Sequence, residues 1–306
     1  MSQVLDANAM LDLDVPPRVE LWGPGIAAAN LIQLYGPTGV SKTRFCMALG
    51  LCMASGRKFL KWNCRPSKVL YIDGELGRNS LSTRIKEAVN ALQVEFPAGN
   101  FLTLPYDSMG HQSWNLSDPK DQVKYEAVID KTRATVVFMD NLLTLSRAMT
   151  PRDSDFTCWE RTQPWLAKLR SKGLTVIFVH HTGKDATRGG LGTSTRSTIL
   201  DAIISLRRPE SRPASRGAVS EMHYEKARDF QMQDTPPMLV EYLEGYDGLS
   251  HWYWTPLNED MDQRIKNLHT SGLTRKQIAT ELGLSFGRVS AVIPREAQQQ
   301  RGMGWE

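Results

Sequence analysis

The stretch Asn-Leu-Ile-Gln-Leu-Tyr-Gly-Pro-Thr-Gly-Val-Ser-Lys-Thr-Arg, residues 30–44, constrains this chain more than any other part of it. Leu31 to Tyr35 reads as a buried strand, Gly36 to Ser41 as a tight loop, and Lys42 to Leu51 as the first turns of a helix with apolar residues at helical spacing. A helix N-terminus carries unpaired N–H groups and the positive end of the helix dipole, so a loop wrapped ahead of it cradles phosphate. The cradle spans Gly36, Pro37, Thr38, Gly39, Val40, Ser41, Lys42, Thr43 and Arg44. In it Lys42 is placed to reach β- and γ-phosphates, and the Thr43 hydroxyl to ligate Mg²⁺. The pattern G-x-x-x-x-G-K-[ST] holds except that Ser41 stands where glycine is expected. If that position needs positive φ, serine adopts it at a cost of about 1–2 kcal/mol. The alternative is an ordinary Gly-Pro-Thr-Gly turn before an amphipathic helix.

The downstream pattern repeats strand and helix. Lys68 to Asp73 reads as a second buried strand, with Glu75 just past its end. Helices are expected over 81–92, 121–131 and 156–171, and strands over 101–104, 134–140 and 174–181. The strand Ala134–Asp140 ends in a carboxylate. Beside a phosphate cradle such an acid can hold the oxygen shell of Mg²⁺, whereas alone it would read as a strand cap. The strand ending at His180-His181 runs into a glycine-, hydroxyl- and base-rich loop, 182–196. Later strands are expected over 201–206, 219–230, 238–242 and 251–254. Alternation in the second of these puts Lys226 and Arg228 on one face. Parallel strands need crossovers that cover the sheet, so the expected class is α/β, a mostly parallel sheet flanked by helices.

Composition excludes several classes. With 41% apolar and 23% charged residues over 306 positions, the chain reads as a soluble globular protein. No apolar run is long enough to span a bilayer. Met1 to Pro17 is acidic and lacks the basic start and apolar core of a signal peptide, which points to the cytoplasm. Cys46, Cys52, Cys64 and Cys158 lack metal-ligand spacing and read as reduced thiols. A net charge of +4 is mild, but basic residues gather at 184–188, at 207–216 and near the C-terminus.

Over roughly residues 20–255 this set of motifs resembles the RecA-like ATPases, and within them the hexameric plasmid replicative helicases of the RepA kind. The resemblance implies ATP and Mg²⁺ as cofactors, and Glu75, in Tyr71-Ile-Asp-Gly-Glu75, as the general base for the attacking water. Thr43 and Asp140 would hold the metal. The pair His180-His181 is similar to the family's sensor of the γ-phosphate, with His181 facing the nucleotide. Lys184, Arg188 and Arg196 would track a DNA strand through a central channel by phosphate contacts. Glu225-Lys-Ala-Arg228 is similar to a late strand whose Lys226 and Arg228 enter a neighbouring subunit's site, which implies a ring, expected to be a hexamer. Lysine and arginine alternating on an edge strand can instead guard against aggregation.

Residues 273–293 have the form of a helix-turn-helix: Ala279 at the crossing, Gly283 at the turn, Ile278, Leu282, Leu284, Val289 and Val292 as shared core, Ser285 as cap. Phe286, Arg288 and Ser290 are expected on an exposed helix start that would face a major groove, unless the unit serves protein contacts. The expected organisation is a leading segment 1–29, an ATPase domain 30–255, a helix-turn-helix unit 263–295 and a tail 296–306. The function expected is a DNA-associated motor, a plasmid- or phage-type helicase. The alternative is a nucleotide-switched DNA-binding regulator or partitioning factor with weak or absent hydrolysis.

Overall fold

The computed structural model describes residues 4–110, 114–181, 197–209, 217–244, 248–257, 261–282 and 284–293. The short helix α1 (Ala7–Leu11) buries none of its residues. Next come the β-ribbon β1 (Glu20–Trp22) and β2 (Ile26–Ala27), then β3 (Leu31–Gly36) and α2 (Lys42–Ser55). After them lie the small pair β4 (Lys58–Phe59) and β5 (Trp62–Asn63), β6 (Val69–Asp73), α3 (Gly77–Leu92), β7 (Phe101–Leu104) and α4 (Pro119–Thr132). The core continues through β8 (Val136–Asp140), α5 (Leu142–Leu145), α6 (Asp155–Ser171), β9 (Thr175–His181) and β10 (Ala202–Arg207). A meander of β11 (Gly217–Ala227), β12 (Met238–Glu244) and β13 (Ser250–Pro256) precedes α7 (Met261–Thr270), α8 (Arg275–Leu282) and α9 (Phe286–Val292).

Among the described residues, nine strands form one sheet in the order β13-β12-β11-β10-β3-β9-β8-β6-β7. The run from β10 to β7 is parallel and the meander is antiparallel. This is the expected mostly parallel sheet with helices on its faces. Alternating strand residues supply two cores. Ile32, Leu34, Val69, Tyr71, Phe138 and Val179 pack with α2, while Leu31, Leu70, Ile72, Val137, Met139 and Phe178 pack with α4 and α6. β3, between β9 and β10, is buried nearly throughout, which is why it reads as a continuous apolar run.

Two expectations about boundaries change. α3 begins at Gly77, one turn before Leu81, because the buried Asp73 carboxylate accepts the N–H groups of Leu76 and Gly77 and satisfies its first turn. β11 stops at Ala227, so Phe230 is not in the strand and Arg228 lies just past its end. The segment before β3 joins the main core: Trp22 and Ile26 have no exposed surface, and Trp22 meets Phe45 edge-on at 6.0 Å. All four cysteines are buried and free.

Glu126 on α4 accepts from Trp165 Nε1 at 3.0 Å, Lys168 at 2.7 Å and Lys172 at 2.8 Å, tying α4 to α6. Burial would raise its carboxyl, but these donors outweigh it and hold it at about 2. The folded pKa lies below the unfolded one, so the stability gained is complete above pH 4.5 and disappears as pH falls toward 2. Glu126→Gln should therefore cost roughly 1–2 kcal/mol at pH 7, allowing for solvent screening at the lysines, and nearly nothing near pH 2. Urea denaturation of both proteins across that range measures the difference.

Helices α7 to α9 share a small apolar cluster of Ile265, Leu268, Ile278, Ala279, Val289 and Ile293. The Ser285 hydroxyl accepts the Arg288 N–H at 3.2 Å, capping α9. Arg264 of α7 meets Glu241 of β12, which is fully buried, at 3.3 Å. No described helix is long and apolar enough to cross a membrane.

Candidate functional site

The loop from Gly36 to Ser41 leaves the C-terminal edge of the sheet and enters α2. Gly36 has no room for a side chain, since a Cβ there would lie 2.2 Å from the Leu206 carbonyl oxygen of β10. Ser41 has φ 60° and ψ 31°. The position where the pattern has glycine is therefore left-handed here, and this chain fills it with serine at about 1–2 kcal/mol. Ser41→Gly should raise Tm by about 1–2 °C, because the strain relieved exceeds the roughly 0.4–1 kcal/mol of unfolded-state entropy that glycine adds. Calorimetry of the two proteins checks this.

Lys42 is 4% exposed and donates to the Gly36 and Pro37 carbonyls at 2.8 and 2.7 Å. Burial pulls its ammonium down to about 8, against the opposing pull of Asp140, Cys46 and Glu75. Asp140, at the end of β8, is 4% exposed. Its carboxylate accepts the Tyr71 hydroxyl at 2.6 Å and also bonds the Thr43 side chain. Burial raises this carboxyl above the usual range, and those two hydrogen bonds work against the rise. A hydroxyl and a carboxylate meeting beside a phosphate cradle suit Mg²⁺, which takes one or two protein oxygens and completes its octahedron with phosphate and water. Thr43 and Asp140 are the residues that would hold it, and the bound ion would neutralise charge on the triphosphate.

Glu75 is exposed, and Asn141 Nδ2 donates to its Oε2 at 2.9 Å. That bond orients the carboxylate. Asp73 pairs in register with Asp140 on the neighbouring strand and, 1% exposed, anchors the turn that presents Glu75. His181 pairs in register with Gly36, and its pKa is lowered by burial and then by the Lys42 charge, while Glu75 opposes. Its neighbour His180 is buried and lines a cavity with Ser146, Cys158 and Trp159 on the α5 and α6 side. The Arg44 side chain turns away from the cradle, 3.7 Å from Glu87 and 5.6 Å over the Tyr242 ring, which leaves only its backbone for phosphate.

Glu75, Lys42, Thr43, Asp140 and His181 are thus brought together, whereas Lys226 and Arg228 are not. Lys226 donates to the Ser197 carbonyl. Arg228 bonds Asp201 at 3.1 Å and the Thr198 carbonyl at 2.7 Å. Its N–H pairs with the Asp201 carbonyl, at the level where β3 begins, about 16 Å down the sheet from Gly36. Lys184, Arg188 and Arg196 lie outside the described residues. Phe286 and Arg288 are exposed, with Arg288 paired to Asp262. Ser290, expected to be exposed, is half-buried beside the inward-packed Val289, and its hydroxyl has no hydrogen-bond partner among the described residues.

The sequence reading missed Tyr71, Asp73 and Asn141. Tyr71 reads as core, and half of it is: its ring stacks on Phe138 at 5.8 Å while its hydroxyl reaches Asp140. Period-two spacing from Tyr71 to Asp73 was the available signal.

The AAA domain family AAA_25 matches residues 2–187, more than half of the chain and all of the cradle-to-His181 region. The chain belongs to this family. As an AAA-domain protein with this sheet, it is a RecA-like P-loop ATPase. Among solved structures, the KaiC-like protein PH0186 from Pyrococcus horikoshii OT3 is 14% identical with a TM-score of 0.52, covering 78% of this chain and 100% of its own. That similarity supports the fold of the AAA-domain core. The RadB recombinase, 17% identical, has a TM-score of 0.46 over 75% of this chain and 91% of its own. The flagellar accessory protein FlaH from Methanocaldococcus jannaschii, 11% identical, has one of 0.47 over 74% and 90%. No curated protein matches the chain.

Proposed function

We propose that this ATPase is a motor that works on DNA, a replicative helicase of the plasmid or phage kind acting as a ring of identical subunits. The observation that carries the hydrolytic part is the acid pair across the cradle: Glu75 held by Asn141 at 2.9 Å, and Asp140 beside Thr43. Lys42 and Mg²⁺ would neutralise the triphosphate, and Glu75 would take a proton from the attacking water. His181 would relay the state of the γ-phosphate to residues 182–196, where Lys184, Arg188 and Arg196 would hold DNA phosphates.

Lys226 and Arg228 lie too far from their own cradle to serve it, and to act in a neighbour's they would have to leave Ser197, Thr198 and Asp201, which hold them here. The exposed Phe286 and Arg288 favour a second reading, in which α8 and α9 form a helix-turn-helix that binds a duplex site and nucleotide acts as a switch. ATP hydrolysis measured with and without single-stranded DNA separates the two. The motor predicts turnover stimulated by single strands of any sequence. Turnover indifferent to single strands, with tight binding to one duplex sequence lost in Arg288→Ala, would sink it.

A further inference from the structure

The hairpin of β10 and β11 touches the cradle from the flank opposite the acids, and two of its residues bond cradle carbonyls. The Ser220 hydroxyl, on β11 and 4% exposed, donates to the Val40 carbonyl at 2.9 Å. Arg208, exposed and just past β10, donates from Nη2 to the Thr38 carbonyl at 3.3 Å, and the same nitrogen lies 3.4 Å from where a Cβ on Gly39 would stand. In a trans peptide the C=O and the following N–H point in opposite directions. A Thr38 carbonyl turned toward Arg208 therefore turns the Gly39 N–H away from the hairpin. The Val40 carbonyl turned toward Ser220 does the same for the Ser41 N–H.

The strand order decides where those N–H groups point. β10 and β11 lie on one flank of β3, while β8 and β6, which carry Asp140 and lead to Glu75, lie on the other. Both donors are thus turned away from β10 and β11, toward the flank on which the acids lie, as a backbone nest for an anion requires. We propose that Ser220 and Arg208 are positioning residues for the nucleotide: they hold two cradle peptides with their N–H groups turned to the phosphates. Ser220 has the larger task, because the peptide it holds leads into the left-handed Ser41, a conformation glycine would reach without help. The proposal rests on the reading of the cradle as an ATP site.

The test is titration calorimetry with Mg–ATP and with Mg–ADP on the full chain. The variants are Ser220→Ala, Ser220→Thr, Arg208→Ala and Arg208→Gln, with Ser220→Ala made again in a Ser41→Gly background. Losing a buried donor to a cradle carbonyl should raise the Kd for both nucleotides about tenfold in Ser220→Ala. Ser220→Thr keeps the hydroxyl, beside a small cavity lined by Phe45, Ala218 and Val240, so it should lose less affinity than Ser220→Ala. Arg208→Ala should weaken binding about threefold to tenfold, and Arg208→Gln, which keeps an N–H donor, by less.

The deciding readout is coupling: Ser220→Ala should cost clearly less beside Ser41→Gly than alone, an effect a general packing role would not produce. Equal losses in the two backgrounds, or wild-type affinity in Ser220→Ala, would overturn the proposal while leaving the ATP site standing. A wild-type chain that binds neither nucleotide would overturn the site reading itself, and the proposal with it.

Discussion

Glu75→Gln should lower the rate of ATP hydrolysis by about 10²–10⁴ while leaving nucleotide affinity within a few-fold of wild type. The amide matches the carboxylate in size, and its oxygen can still accept from Asn141, so the turn anchored by Asp73 keeps its shape. What is lost is the ability to take a proton from water. Phosphate release at saturating Mg–ATP, beside a binding titration, separates the two quantities. A variant that turns over at the wild-type rate would remove Glu75 from the role of base. Asn141→Ala should cost less, about tenfold, because it frees the orientation of the carboxylate without removing it.

Gly36→Ala has the other large effect. One methyl group would stand 2.2 Å from a backbone carbonyl on β10, and backbone of a central parallel strand has little freedom to yield. The cradle must shift instead, and misplacing reacting groups by about 1 Å costs on the order of a hundredfold in rate. The expected result is ATP hydrolysis slowed about a hundredfold, with weaker Mg–ATP binding and a lowered Tm. Near-normal turnover in this variant would mean that the loop is not shaped by its contact with β10.

The parallel core was legible because buried strands leave continuous apolar runs, and Leu31–Tyr35, Val69–Asp73, Val136–Asp140 and Thr175–His181 all do so. The phosphate cradle was legible for a different reason: backbone geometry restricts which residues can stand at Gly36, Gly39 and Ser41. Positions set by contacts between distant segments were not. Tyr71 and Phe138 are equally apolar in a strand pattern, yet only one ends in a hydroxyl aimed at Asp140. Asn141 looks like the ordinary cap it also is, accepting the Thr144 N–H through its side-chain oxygen at 3.1 Å while its amide nitrogen holds Glu75. Ser290 is half-buried rather than exposed because it neighbours Val289, which the helical spacing correctly turns inward. The start of α3 was missed because its first residues, Gly77 to Ser80, carry no apolar periodicity and depend on Asp73 from outside the helix.

The pair between Glu241 and Arg264 bears on how the C-terminal helices ride on the rest of the molecule. Glu241 has no exposed surface and Arg264 keeps 15% of its side chain exposed, so separating them would strand a carboxylate in the interior at a cost of about 3–5 kcal/mol. Helix α7 is in effect keyed into strand β12, like a gear tooth in its rack. A movement of β12, the strand next to the sheet's edge, would therefore reach α7 directly and, through the shared apolar cluster, the helices that follow it.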